Sequence, residues 1–352
     1  MRVRPHLLPR RIAFALVFLL TAGCLSAEVK QIREYHLHQP RDRKVLFGMG
    51  VTPEQDVLAF VAKEDGKWRL SRVRGWLDRQ PGEETVEVAG LTRKDFARPE
   101  GPWYASLLVT SNGEFVVCIS SGNGRRADGE RGREFDEIVS VVDLKRFNVL
   151  KTAHSPASRD EIRQYSLDSA GHLVLRASKP LPGPEGMSPS FGNDVRIVLL
   201  NLPDLTTKEQ CHYAEWMRNG AVVRREGERD CDPLLSHAPG GPKPLSEFLD
   251  QLRDSYEARP KEAPKPYCSA TISPDGRFKD ENCTDFHRNW WGNPVVTNAW
   301  EDIFSMRTGK QIGTVNITVR DSASSRFAEL NGRNYLILME GGTKLKVYEL
   351  TE

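Results

Sequence analysis

The 352-residue sequence predicts an all-β fold: a β-propeller of five four-stranded blades, with six as the alternative count. Three observations carry that prediction. A short turn motif recurs along the chain. The step between its copies is nearly constant. A strand near the N-terminus has no partner of its own, while the last C-terminal unit lacks one.

The turn is plainest in "TISPDGRF" (271–278). Asp275 can hydrogen-bond its own backbone, and Gly276 can take the positive φ that a tight hairpin turn needs. Related stretches are "VTPEQDVLAFVA" from Val51, "VTSNGEFVVCIS" from Val109, "SLDSAGHLVLRA" from Ser166 and "AELNGRNYLILM" from Ala328. With Asp56 taken as the equivalent of Gly113, Gly171, Gly276 and Gly332, the steps are 57, 58, 105 and 56 residues. Each copy leads into a strand. The fourth, "RFKDEN", is polar and the weakest. A further strand follows each unit, as in "DEIVSVVDL" (136–144), and after another turn there is usually one more. Four strands per unit describe a propeller blade. A single twisted four-stranded sheet buries neither face, whereas radial stacking covers both, so inner strands read as continuous apolar runs.

The last unit stops at Glu352 before its fourth strand, and "KQIREYHLH" (30–38) is spare. The prediction is a ring closed by the N-terminal strand, with Ile32 to His38 paired to Lys344 to Leu350, which removes an exposed edge. The step of 105 marks an insertion over about 213–265. In it "PLSEFLDQLRDSYEA" (244–258) has helical spacing: Ser246 could cap, and Phe248, Leu249, Leu252 and Tyr256 share a face. The competing reading is a degenerate sixth blade that includes "GAVVRRE" (220–226).

Quoted side by side, "TISPDGRF" and "VTPEQDVLAFVAKEDGKWRLSRVRG" (51–75) resemble the SPDG-type repeats of TolB-like propeller proteins, with a more distant likeness to WD40 propellers, whose Gly-His and Trp-Asp dipeptides are missing. The resemblance implies a fold. Such repeats serve scaffolds and enzymes alike, so it implies no activity.

The chain ends bear on location. Residues 1–27 read as a signal peptide: Arg2, Arg4, Arg10 and Arg11 precede the apolar run Ile12–Leu20, which is too short to span a bilayer. Thr21-Ala22-Gly23-Cys24 resembles a bacterial lipobox, with Cys24 as the lipidated residue; ordinary cleavage after Ala27 is the other reading. Residues 28–352 then form one propeller domain, expected in the periplasm, on the outer membrane as a lipoprotein, or secreted, and expected to act as a monomer. Membrane contact is expected only through the lipid. Without the signal arginines the chain has 46 basic against 48 acidic residues, and no basic stripe with interleaved aromatics, so nucleic acid is not an expected partner.

Cysteine usage suits an oxidising compartment. Cys118, in "FVVCIS", reads as a buried free thiol. Cys211 with Cys231, and Cys268 with Cys283, are the expected local disulfides. Zinc is the competing reading, because His212 adjoins Cys211 and His287 follows Cys283, but no CxxC or HxxxH spacing supports it.

A search for chemistry returns little. "GMSPS" (186–190) lacks the closing glycine of a nucleophile elbow, and there is no Walker A, HExxH or EF-hand motif. His36 and His38 would share a strand face, which more often means two solvent-facing polar positions than a metal site. The most suggestive surface is "TDFHRNWWGNP" (284–294), placed in the loop between the second and third strands of the fourth blade. Trp290 and Trp291 there adjoin His287 and Arg288. Trp103 and Tyr104 form a weaker second patch. The function expected on this reading is a non-enzymatic, envelope-associated module that binds a protein or peptide, with no cofactor and no metal. It predicts no cluster of perturbed titratable groups on the axis, and an exposed aromatic patch on one rim. The alternative is a propeller hydrolase or lyase acting on a lactone or carbohydrate, with acidic groups or histidines drawn from separate blades.

Overall fold

Four of the five blades open with a turn that is held the same way. The first turn residue is Thr52, Thr110, Asp168 or Ser273, and each is buried. Its side-chain oxygen accepts the amide of the residue that starts the next strand: Asp56 at 3.1 Å, Phe115 at 3.0 Å, His172 at 2.7 Å and Phe278 at 2.9 Å. This is the physical content of the repeat, since a small hydroxyl or carboxylate side chain replaces the ladder bond the turn interrupts. In the first blade Gln55, at φ 67°, takes the position that glycine holds elsewhere, so the equivalent residue is Gln55 and not Asp56. The fifth blade turns on Asn331-Gly332, both at positive φ, between the paired Leu330 and Arg333.

The computed structural model describes residues 27–37, 47–62, 68–91, 98–125, 133–181, 191–218, 221–226, 231, 266–288, 294–318 and 323–352. Among them five antiparallel sheets form the propeller. Blade I is β2 (Phe47–Val51), β3 (Val57–Ala62), β4 (Trp68–Arg74) and β5 (Gly82–Val88). Blade II is β6 (Arg98–Val109), β7 (Phe115–Arg125), β8 (Arg133–Asp143) and β9 (Asn148–His154). Blade III is β10 (Ile162–Leu167), β11 (Leu173–Leu181), β12 (Phe191–Leu200), β13 (Thr207–Arg218) and β14 (Ala221–Glu226). Blade IV is β15 (Tyr267–Ile272), β16 (Phe278–Arg288), β17 (Pro294–Ser305) and β18 (Gln311–Ile317). Blade V is β19 (Ala323–Leu330), β20 (Arg333–Glu340) and β21 (Lys344–Thr351), completed by β1 (Glu28–His36). The first strands face the axis: β2 lies against both β6 and β19, and β6 against β10.

The ring closes as the sequence predicts. β1 pairs antiparallel with β21, with Glu28 opposite Thr351, Tyr35 opposite Leu345 and His36 opposite Lys344. Val29 seats against Gly313 of blade IV, where an added Cβ would come within 2.8 Å of the valine side chain, so both blades tie the N-terminal strand down.

Apolar clusters weld neighbouring blades. Met49, Val57 and Ala59 meet Ile337 and Met339 between blades I and V. Leu58, Phe60 and Leu70 meet Val116 and Val142 between I and II. Val117 and Val139 meet Leu173 and Leu175 between II and III. Phe278 and Ile303 meet Leu336 and Leu338 between IV and V. Blade III carries its own cluster, Val195, Ile197 and Tyr213 with Cys211 and Cys231. Among the described residues no such cluster joins III to IV.

The insertion starts later than expected. Residues up to 218 extend β13, and "AVVRRE" is β14, a fifth strand on the outer edge of blade III and not a piece of a sixth blade. The helix expected over 244–258 lies outside the described residues, as do residues 1–26 of the signal peptide expected over 1–27.

Candidate functional site

The polar letters of the weakest repeat occupy core positions. On β16 the pleat puts Phe278, Asp280 and Asn282 on one face. Across the ladder, Asp280 pairs with Ile303 and Asn282 with Glu301. Phe278 and Ile303 are buried against blade V, so the same alternation carries Asp280 and Glu301 into that junction, at 2% and 0% exposure. Few partners meet them there. Asn282 Nδ2 donates to Glu301 Oε1 at 3.1 Å, and Ser325 Oγ, on the axial strand β19, donates to Asp280 Oδ2 at 3.2 Å. Asp280 Oδ1 and Glu301 Oε2 have no hydrogen-bond partner among the described residues.

That environment disfavours two negative charges. Burial first, and then the charge of Glu301, push the Asp280 carboxyl up to about 8. Burial also raises Glu301, against the hydrogen bonds from Ser325 and Asn282 and the positive charge of Arg326. Glu340, buried on β20 and ion-paired to Lys346 at 2.8 Å, adds further negative charge beside Glu301. Two carboxyls with so little compensation hold a proton between them near neutral pH. Ser325 is half-buried on the axial strand and Arg326 beside it is exposed, so the pair communicates with the axis through a hydroxyl next to a cation.

A parallel arrangement sits between blades II and III. Ser121 and Glu137 pair across β7 and β8, and Ser121 Oγ donates to Glu137 Oε1 at 2.6 Å. Burial raises the Glu137 carboxyl, and the Ser121 bond and Arg163 work against it. The difference is that Arg163 Nε, on the axial strand β10, lies 4.0 Å from Glu137 and supplies a counter-charge. Tyr165 Oη donates to Ser155 Oγ at 2.7 Å, and burial pushes its phenol up. With Arg163 this close the cluster ties two blades together, whereas Glu301 feels the charge of Arg326 with no ion pair to it among the described residues.

An axial cavity of about 400 Å³ opens where the turns of blades I, II and IV meet β19. It reaches Phe327, two residues along β19 from Ser325 and on the same side of the strand, a separation of about 7 Å.

The residues singled out from sequence fall elsewhere. His287 and Arg288 end β16, so they belong to a strand and not to the inter-strand loop expected for them. Trp290 and Trp291 lie outside the described residues, and so does Cys24. Trp103 and Tyr104 are in β6, at an irregularity in its pairing with β7. Cys211–Cys231 and Cys268–Cys283 are disulfides, which removes their thiolates from any zinc site, and Cys118 is a buried thiol. His36 is exposed beside Glu34 at 3.4 Å, and no metal-binding cluster occurs among the described residues. Asp280, Glu301 and Ser325 were not found by motif. The usable signal was period-two register, with Asp280 and Asn282 in step with Phe278 and Glu301 in step with Ile303.

No protein-family model matches the chain, and no curated protein does. It is similar to solved structures at low identity. MPT-1, a GDP-Man-dependent mannosyltransferase from Leishmania mexicana, has 8% identity and a TM-score of 0.35, over 94% of this chain and 87% of that one. A glucose dehydrogenase has 12% identity and 0.35, over 91% and 98%. An exo-1,5-alpha-L-arabinanase from a bovine ruminal metagenomic library has 12% identity and 0.30, over 90% and 94%. The non-enzymatic scaffold expected from sequence is corrected here. The similar structures are enzymes by their names, and the raised acids Asp280 and Glu301 lie at the blade IV–V junction, not on the axis where the scaffold reading expected no perturbed group. At these TM-scores the likeness assigns neither activity nor substrate, so the reading of the site rests on its own geometry.

Proposed function

We propose that the chain is a propeller enzyme of the acid–base type, a hydrolase or lyase that cleaves a C–O bond in a carbohydrate or lactone at the axis. The observation that carries the reading is the pair Asp280 and Glu301. Both are buried, each has one unpartnered oxygen among the described residues, and burial with the charge of Glu301 pushes the Asp280 carboxyl up to about 8. Departure of an alkoxide needs a proton in the transition state, and a carboxyl that retains one near the working pH supplies it well. Ser325, whose hydroxyl donates to Asp280 at rest, relays the proton once that hydroxyl has turned: its Oγ accepts the Asp280 proton as its own O–H passes to the departing oxygen. Water then completes hydrolysis, or a proton leaves the neighbouring carbon in elimination, and the pair recovers its single proton. Arg326 supports the reading as a cation placed for developing negative charge.

The test is turnover of a panel of chromogenic glycosides and lactones. Asp280→Asn and Ser325→Ala should each lower kcat by about 10²–10⁴ on the substrate accepted. Turnover absent across the panel, or undiminished in both variants, contradicts the reading.

The same reading sets the enzyme in an exported, oxidising compartment, supported by the two disulfides. Lipidation at Cys24 is the finer proposal, alongside a TolB-like kinship that rests on the turn motif. Mass spectrometry of the mature N-terminus tests the anchor: a diacylglyceryl adduct on Cys24 supports it, and a start at Glu28 refutes it.

A further inference from the structure

The geometry points to a second ligand site, separate from the acid pair: the axial cavity takes a small organic cation, an amine or amidinium on a flat apolar body. Its size, about 400 Å³, lies within the range of small-molecule pockets. Its walls are mixed: Pro53 and Pro274 from the turns of blades I and IV, Phe327 and the valines at the ends of β2 and β6 supply the apolar part, and polar groups supply nearly half.

Most of its polar groups are already engaged. Thr52 Oγ1 accepts the Asp56 amide, and Thr110 Oγ1 exchanges hydrogen bonds with the Phe115 backbone. Gln55 Oε1 accepts the Glu329 amide at 3.1 Å, and Gln55 Nε2 donates to Pro53 O at 3.3 Å. These hydroxyls and this amide have little left for a polyol. The Thr52 O–H is still free to donate, and two groups are wholly uncommitted among the described residues: the Ser111 hydroxyl and the Glu329 carboxylate. Glu329 is the only charged group in the lining. Arg277 lies close enough to feel its charge, but that guanidinium is committed to Asp275 and to Gly332 O at 3.1 Å.

The carboxylate is also placed with care. Gln55 reaches across from blade I to hold the Glu329 backbone, and Gln55 itself sits at φ 67° with its carbonyl accepting Trp76 Nε1 at 2.6 Å. A non-glycine residue held at positive φ is strained and persists where the surroundings fix it. One fixed negative charge in a pocket whose other polar groups are mostly engaged repels anions, gives a neutral ligand little, and favours a cation whose body covers the Pro53, Pro274 and Phe327 surface.

The test is titration of the folded, full-length protein at pH 7 with benzylamine, benzyl alcohol and benzoate, followed by ligand-observed and protein-observed NMR. Benzylamine should saturate at least tenfold more tightly than benzyl alcohol, and benzoate should bind more weakly still. Glu329→Gln, at a half-exposed site, should weaken benzylamine about tenfold and leave benzyl alcohol unchanged. Asp280→Asn should leave benzylamine binding unchanged, so failure of this inference is separable from failure of the acid–base reading. Absence of saturable benzylamine binding, equal affinity for the three probes, or indifference to Glu329→Gln overturns it.

Discussion

Replacing Asp280 with Asn should stabilise the protein at alkaline pH. The side chain keeps its shape and mimics the protonated acid. In the wild type, burial and Glu301 raise the Asp280 carboxyl from an ordinary 3.8 to about 8. Between pH 4 and pH 8 the unfolded chain has released this proton while the folded chain retains it. Folding then takes up a proton, and stability falls as pH rises through that window. At about 1.4 kcal/mol per pKa unit, the full span corresponds to a ceiling of about 5–6 kcal/mol. Structural relaxation, water entry and sharing of the proton with Glu301 reduce this to about 2–3 kcal/mol at pH 8. For a domain of this size that is roughly 4–8 °C in Tm. The assay is urea denaturation of wild type and variant from pH 5 to pH 9. The wild-type midpoint should fall toward pH 8 and then level off, while the variant's slope is much reduced and its midpoint at pH 8 is higher. Parallel curves across the range, or a variant less stable at pH 8, would refute the reasoning.

Other changes test the scaffold around the site. Asp275 behaves with the opposite sign: although burial would raise it, hydrogen bonds from Arg277, Ser273 and Asn334 hold its carboxyl well below the usual range. Its contribution is present above pH 4 and lost as pH falls below that, so Asp275→Ala should cost about 1 kcal/mol at pH 7, after solvent screening, and much less near pH 2, read from acid and urea titrations. Gly90→Ala should cost about 1–3 kcal/mol in denaturation, because an added Cβ would fall 2.2 Å from the Trp68 ring, which is pinned by its own bond to Leu91 O at 2.9 Å and packed on Phe60. Mild reductant should open Cys268–Cys283 before Cys211–Cys231, since Cys268 is exposed and Cys231 fully buried; differential alkylation with mass spectrometry reads the order.

The fold was legible because each blade repeats one physical device. A Thr, Ser or Asp followed by a positive-φ residue marks where the chain turns, and the buried side-chain oxygens of Thr52, Thr110, Asp168 and Ser273 show why those letters recur. The closing strand was legible as a segment with no partner of its own. The fifth strand of blade III was not, because "AVVRRE" suits an added edge strand as well as a new sheet. The acid pair was hidden by the same patterning logic. "RFKDEN" scores as a poor strand if polar letters are assumed to face water, and the pleat instead sends Asp280 into the blade IV–V junction. The axial cavity had no linear signal at all: Gln55, Ser111 and Glu329 come from three blades and meet only when the ring closes.

The account stands most directly on where Asp280 releases its proton. Carbon-detected NMR of the aspartate and glutamate carboxyls from pH 3 to pH 10, with Asp280→Asn as the assignment control, reads it. A resonance that still reports a protonated carboxyl at pH 7, titrates near 8 and vanishes in the variant is the predicted result. An Asp280 signal that completes its titration by pH 5 would show the pair to be two ordinary carboxylates, with no proton to give at the axis.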